Sequence, residues 1–302
     1  MIDRRALLAL PLLQPAALAS LTQPAPAASP LAGLGVLGNS ASTHPALASS
    51  AAPSGAAAQE VALSRAGEQG AFVTGRLPPG LRHSASLDRQ PLRISPNGLV
   101  AFGFGRDHPE TSLLATGAVL RSLPVARRSW DVQHITGLPP GQVTPDAAAL
   151  ERIRLERERL AAVRGADTAM EHFAERFAWP ARGRISGVFG SQRVLNGEPR
   201  QPHYGLDVAG PVGTPILAAA GGRVTLADDF HFFGKLVVLD HGHGVNTLYA
   251  HLSEIHVREG EAVARGVRIA AMGATGRVTG PHLHFSLSWF RVWLDPQPLL
   301  PT

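Results

Sequence analysis

Five side chains stand at spacings that could hold a metal ion and move a proton: His203, Asp207, His251, His282 and His284. In His203-Tyr204-Gly205-Leu206-Asp207 an imidazole and a carboxylate lie four residues apart, which puts both on one face of either a helix or a strand. Gly205, and Ala209-Gly210-Pro211 just beyond, argue for the extended option. In His282-Leu283-His284 two imidazoles lie two apart, so on a strand both project from one face while Leu283 and Phe285 point into the core. Two His and one Asp are a sound zinc set, because both types are common ligands and three protein ligands leave a fourth position open for water. Zinc brings the pKa of that water down to about 7, which supplies a hydroxide-like nucleophile without strong base. One histidine of the His-Leu-His pair, and His251 in Tyr249-Ala250-His251-Leu252, then stay free for proton transfer or charge stabilisation. Spacing does not choose between His282 and His284 as the ligand.

Composition narrows the chemistry further. The chain has no cysteine, so disulfides, thiolate metal sites, a cysteine nucleophile and a cysteine-linked lipid anchor are all excluded. Any metal must sit on His and carboxylate. The formal net charge is +5 and almost all of the basicity is arginine, with Lys235 the one lysine. A positive surface suits anionic partners, and nucleic acid, membrane surface and anionic wall polymers all qualify. The histidine-rich part lacks the interleaving of aromatic and basic residues that a nucleic-acid binder uses, and no nucleic-acid partner is expected.

The elements that must position these residues are legible in outline. Met1-Ile2-Asp3-Arg4-Arg5 followed by an apolar run over residues 6–19 reads as a signal peptide cleaved after Ala19, too short for a transmembrane span and interrupted by Pro11 and Pro15. Arg4-Arg5 also resembles a minimal twin-arginine signal, so either export route is open. The mature chain is expected to be exported, periplasmic or associated with the cell wall, with no stable membrane insertion. Residues 20–59, rich in Ala, Pro, Ser and Leu, read as a flexible tether.

Residues 60–140 show short apolar runs between turn residues, including Pro96-Asn97-Gly98 before Leu99-Val100-Ala101-Phe102, and predict a small β-sandwich-like domain with a hairpin there. Gly103-Phe104-Gly105 has no third glycine or following helix and is read as packed strand, not as a nucleotide loop. Residues 144–178 are a helical connector: Thr144-Pro145-Asp146 gives a cap and first turn, residues 147–164 a helix burying Leu150, Ile153, Leu160 and Val163, and residues 169–177 a second short helix. Glu156-Arg157-Glu158-Arg159 is taken as the helix's solvated side. Residues 179–302 are glycine-rich, with strands predicted at 223–226, 235–239, 245–249, 267–271 and 284–289, and hold most of the histidines. The fold class is mainly β, ending in a compact antiparallel β domain.

From Trp179 to Pro298 the sequence resembles the LytM/lysostaphin-type zinc metallopeptidases, a family of cell-wall endopeptidases. The resemblance rests on Gly183-Arg184-Ile185-Ser186-Gly187-Val188-Phe189-Gly190, His203…Asp207, Gly213-Thr214-Pro215, Gly222-Arg223-Val224 and Asp240-His241-Gly242. It continues through Tyr249-Ala250-His251-Leu252-Ser253 and Gly273-Ala274-Thr275-Gly276 to Gly280-Pro281-His282-Leu283-His284-Phe285, in order. It implies Zn2+ on His203, Asp207 and His284, with His251 and His282 as catalytic residues, and peptidoglycan stem-peptide cross-links as substrate, with D-alanyl–diaminopimelyl bonds expected for a periplasmic member. His243, His231 and His256 are read as turn or surface residues, and Arg193 as a surface residue near the groove. Some relatives have lost ligands and act as non-catalytic activators of other wall hydrolases; all five site residues are present here, which favours an enzyme. The N-terminal β domain or the connector is further expected to cover the cleft as an inhibitory element.

Overall fold

The structure, a computed structural model, describes residues 61–135, 147–195, 197–199 and 201–302; the expected signal peptide and tether lie outside them. The described residues form one compact unit. Among them no helix is long and apolar enough to cross a membrane.

The N-terminal part consists of two small sheets. Strand β1 (Phe72–Arg76) pairs antiparallel with β2 (Leu99–Gly103), and β3 (Thr111–Thr116) with β4 (Val119–Ala126) forms the centre of a five-stranded sheet. Gly98, at φ +80, closes a turn from Ser95 (N–H to O, 2.8 Å) that delivers the chain into β2. The hairpin expected at Asn97-Gly98 does not form, because β2 pairs with the more distant β1 in the register Arg76 to Leu99. Val73, Phe102, Leu114, Leu123 and Val125 are buried in one cluster with Leu206, Phe285 and Leu294 of the C-terminal part. At Gly103, on the packed strand that was expected, a Cβ would lie 2.4 Å from Leu294, so glycine is what lets the two parts approach. The last N-terminal strand, β5 (Val132–Ile135), runs parallel to β7 (Gln192–Leu195) of the C-terminal part.

Between them, α1 (Ala147–Arg164) forms over the expected residues. Ile153 and Leu160 are buried, but Leu150 is exposed, since the sheet beneath begins only at the second turn. Of the run expected on the solvated side, Arg157, Glu158 and Arg159 are exposed and Glu156 is half-buried. Glu156 accepts the backbone N–H of His231 (2.9 Å), and Arg159 pairs with Asp228 and with Glu259 (2.7 Å), so polar contacts join the packing of Leu160 on Leu226 and Phe230 in holding the helix to the sheet. The second helix is only a single 3-10 turn, His172–Ala174. Beyond it the backbone hydrogen-bonds to the core instead, Ala178 N–H to Ala219 O and Leu217 N–H to Pro180 O, both 2.8 Å.

The C-terminal sheet has ten strands. Its main path is β6 (Arg184–Gly187), β8 (Leu206–Ala209), β13 (His282–Trp289), β11 (Val245–Ile255), β10 (Gly234–Gly242) and β9 (Gly222–Phe230), every neighbour antiparallel, with β12 (Arg268–Met272) against β11 and β14 (Val292–Leu294) against β13. The predicted strands are all present and mostly longer than expected, because pairing continues through bulges and carries β9, β10 and β11 past their apolar centres. Leu283 and Phe285 are fully buried, so the segment that carries two site histidines also anchors the core; truncating either to Ala would cost about 3–5 kcal/mol.

One buried polar chain runs beneath the sheet. His241 Nδ1–H donates to Gly221 O (2.6 Å), its Nε2 lies 2.7 Å from Thr247 Oγ1, the Thr247 and Tyr249 hydroxyls are 3.1 Å apart, and Tyr249 Oη accepts the Ala219 N–H (2.9 Å). Burial pushes the His241 pKa down to about 4, against the pull of its hydrogen bond to Gly221. The unfolded chain therefore binds a proton here that the folded chain refuses, and stability falls as pH drops from about 6.5 through about 4. Urea unfolding at pH 7 and pH 4.5 should show wild type losing about 2–3 kcal/mol more than His241→Asn; equal losses would show that the ring stays neutral for no energetic consequence.

Candidate active site

The pairing of β8 with β13 sets Asp207 directly opposite His284 and Ala209 opposite His282. Cross-strand partners share a face, so the two-residue period of the strands puts Asp207, His282 and His284 on one surface. His203 enters from the loop before β8, held by three backbone-level bonds: its N–H to Ser191 O (2.7 Å), Gly190 N–H to its carbonyl (2.8 Å), and its Nδ1–H to Val188 O (3.0 Å). At Gly187 a Cβ would collide with Asp207 Oδ2 at 2.4 Å, and at Gly205 with His284 Cε1 at 2.6 Å, so both motif glycines make room for the site.

The hydrogen bonds fix the tautomers. Val188 O can only accept, so the His203 proton is on Nδ1 and Nε2 is bare. Ser286 Oγ commits its single proton to Tyr204 O (2.7 Å) and must accept from His284 Nε2–H (2.8 Å), which leaves His284 Nδ1 bare. These two bare nitrogens face each other at 3.0 Å, and Asp207 Oδ1 lies 3.0 Å from the first and 2.9 Å from the second. Three acceptors so placed repel one another unless a cation lies among them. A tetrahedral zinc with bonds near 2.0–2.1 Å would need edges of about 3.3 Å, a few tenths wider than these. His203, Asp207 and His284 thus fit a metal, and among the described residues they are the group with converging donors.

His251 reaches the same surface by a different device. From Tyr249 to Leu252 β11 advances three residues while β10 advances two, from Val237 to Lys235, and in this bulge His251 sits at φ +62. That left-handed conformation costs a residue with a Cβ about 1–2 kcal/mol. It brings the ring, which simple alternation would send towards the core with Tyr249, to 4.8 Å from the His282 ring and 5.9 Å from that of His284. His251 Nδ1–H donates to Thr275 O (2.9 Å) and His282 Nδ1–H to Gly280 O (2.8 Å), so both present a bare Nε2. His282 Nε2 stays 3.9 Å from Asp207 Oδ1, outside the close triangle.

Residues 201–296, which contain all five of these side chains, match peptidase family M23. The chain carries an M23 peptidase domain. It is 40% identical over 120 residues to the peptidoglycan DD-endopeptidase ShyA of Vibrio cholerae, covering 39% of this chain and 28% of that protein. It is 38% identical over 126 residues to the lipoprotein NlpD/LppB homolog of Pseudomonas aeruginosa, covering 41% of this chain and 40% of that one. The chain therefore spans well under half the length of the curated relatives it matches. A solved structure of a candidate M23 peptidase from Pseudomonas aeruginosa superposes with a TM-score of 0.60 at 27% identity, over 78% of this chain and 95% of that one. That coverage exceeds the M23 domain, so the likeness extends into the N-terminal sheets.

Electrostatics in the M23 domain follow burial and the converging donors. Burial opposes ionisation of Asp207, but His203 and His284, when protonated towards it, outweigh that through hydrogen bonds and charge and hold the carboxyl well below the usual range. Burial lowers His284, partly offset by Asp207, and lowers His251 to about 4 with help from the His284 charge. His251 is therefore neutral at pH 7, with its Nε2 free to accept a proton. Of the other histidines, His243 occupies the β10–β11 turn at φ +53, buried with its ring on Phe173 (4.5 Å), while His231 packs on Phe232 and His256 pairs with Glu254 (3.2 Å). The Arg193 side chain lies outside the described residues.

Sequence reading missed Ser286. It stands two residues beyond His284 on the same strand face, so the alternation His-x-His-x-Ser could have revealed it. Ser286→Ala would leave His284 Nε2–H without its acceptor and release the ring's tautomer and rotation. The zinc dissociation constant, measured by chelator competition, is expected to rise roughly tenfold; an unchanged constant would show that Ser286 does not orient the ligand.

Proposed function

We propose that the chain is an exported zinc-dependent endopeptidase that hydrolyses peptide cross-links of bacterial peptidoglycan, with His203, Asp207 and His284 as metal ligands and His251 and His282 as catalytic residues. The observation that carries this reading is the set of three bare acceptor atoms within 3.0 Å of one another, beside two further imidazoles that each present an unprotonated Nε2. Zinc held by these three side chains would supply a Lewis acid that polarises the scissile carbonyl and makes water nucleophilic near neutral pH. His251 and His282 supply what the ligands cannot. One takes the proton released as water attacks and returns it to the leaving amine; the other, when its Nε2 carries a proton, hydrogen-bonds the developing oxyanion. The hydrogen bonds from Nδ1 to Thr275 and Gly280 leave Nε2 of each ring as the nitrogen that would exchange protons with water or substrate.

The substrate follows from the similarity to a peptidoglycan DD-endopeptidase, and D-alanyl–diaminopimelyl cross-links are the proposed bonds. The reading of residues 1–19 as a signal peptide supports export, with the folded part acting in the periplasm or at the wall. Similarity to an NlpD/LppB homolog favours a second reading, a wall-binding activator of another hydrolase. Retention of the complete ligand and histidine set argues for catalysis.

Purified peptidoglycan incubated with the zinc-loaded chain should release cross-link peptides cut at the D-alanyl bond, identified by mass spectrometry of defined muropeptides. His251→Ala and His282→Ala should each lower the rate by about 10²–10⁴-fold while retaining one zinc. If wild type binds peptidoglycan and zinc but releases nothing, the activator reading replaces this one; cuts confined to glycan bonds would overturn the endopeptidase assignment.

A further inference from the structure

The loop that frames His203 is gripped from behind by the N-terminal sheets. Residues 188–191 supply three contacts that fix this ligand: Val188 O takes its Nδ1–H, Gly190 N–H binds its carbonyl, and Ser191 O takes its N–H. On the opposite side, Arg106 Nε–H donates to Gly190 O (2.8 Å), and Gln192 N–H donates to Asp131 O (2.8 Å) where β5 begins its parallel pairing with β7. Trp130 lies flat on Gly190: a Cβ there would meet the indole at 2.0 Å, and at φ +85 only glycine is at ease. The indole also packs edge-on against Phe189 (5.7 Å), which in turn touches Tyr204 (6.2 Å), the residue next to His203. Arg128 and Arg106 flank Trp130 at 4.5 and 5.2 Å, and Arg128 is tied to Asp295 of the M23 domain (2.8 Å).

We infer that Trp130 and Arg106 are positioning residues for the metal ligand His203, and that the N-terminal sheets serve as a buttress without which the site binds zinc less well. This rests on the reading of His203 as a zinc ligand. Within this loop Gly190 stands at φ +85, and its freedom must be constrained if the backbone is to hold the imidazole within a few tenths of an ångström. The hydrogen bond to Gly190 O and the indole against its Cα supply that constraint. The expected inhibitory role makes the opposite forecast, since loosening an inhibitory contact raises activity.

The test uses the full chain and reads zinc affinity by chelator competition, with circular dichroism to establish folding. Arg106→Met, which removes the donor to Gly190 together with the guanidinium beside Trp130 and its pair with Asp107, and Trp130→Ala should each raise the zinc dissociation constant roughly tenfold. Trp130→Phe, which keeps an aromatic face on Gly190, should recover most of the loss. Leu120→Ser, on the exposed β3–β4 hairpin, should change nothing. If wild type binds zinc and folded Arg106→Met binds it within twofold of wild type, the buttress is overturned while the zinc reading stands. If wild type binds no zinc, both fail.

Discussion

Two imidazole nitrogens and a carboxylate oxygen, with the ring protons held on the far nitrogens, meet within 3.0 Å on one face of the sheet. Such an arrangement is unfavourable by itself, and the surrounding structure is what imposes it. The antiparallel register sets Asp207 against His284, the β8 strand and its preceding loop bring in His203, and Ser286 and Val188 hold the protons on the far side of each ring. Without a metal, the same geometry can relax only by placing a proton where the cation would sit. With both imidazoles protonated in that way, their hydrogen bonds and charge hold the Asp207 carboxyl well below the usual range despite burial.

The fold meets this constraint by making the site part of its core. Leu206, Val208, Leu283 and Phe285 alternate with Asp207, His282 and His284, so the residues that bury most deeply are interleaved with those that do chemistry. The exception is His251, whose strand would send it the wrong way. A bulge and a left-handed backbone conformation turn it round, and strain of this kind is characteristic of functional positions. Aromatic contacts extend the support outward. Arg164, at the end of α1, sits 3.3 Å over the Trp293 ring, which stacks on Tyr204 (6.4 Å). Helix, N-terminal sheets and β14 therefore all bear on the short stretch around His203.

Much of this was legible in the residues. The His-x-His alternation announced a strand with two imidazoles on one face, glycine spacing announced short antiparallel strands, and helix α1 covers the residues its composition said it would, while the expected cap at 144–146 lies outside the described residues. What was hidden depends on partners distant in sequence. Nothing near Asn97-Gly98 says that β2 will pair with β1 and not across a hairpin, and nothing in Glu156 or Arg159 says that Asp228, His231 and Glu259 will meet them. The contact of Trp130 on Gly190 joins residues sixty apart and has no local signal. Bulges are equally silent: the sequence Tyr249-Ala250-His251-Leu252 alternates too poorly to disclose which residue is extra. Spacing also could not separate His282 from His284; in the fold His284 Nδ1 lies 2.9 Å from Asp207 Oδ1 and His282 Nε2 3.9 Å.

The central claim is that these three acceptors hold zinc. X-ray absorption at the zinc edge on the metal-loaded chain addresses it directly. The account predicts one zinc per chain with two imidazole nitrogens and oxygen ligands at about 2.0–2.2 Å, and one fewer imidazole in His284→Ala. A chain that binds no zinc, or whose zinc spectrum is unchanged in His284→Ala, would contradict it.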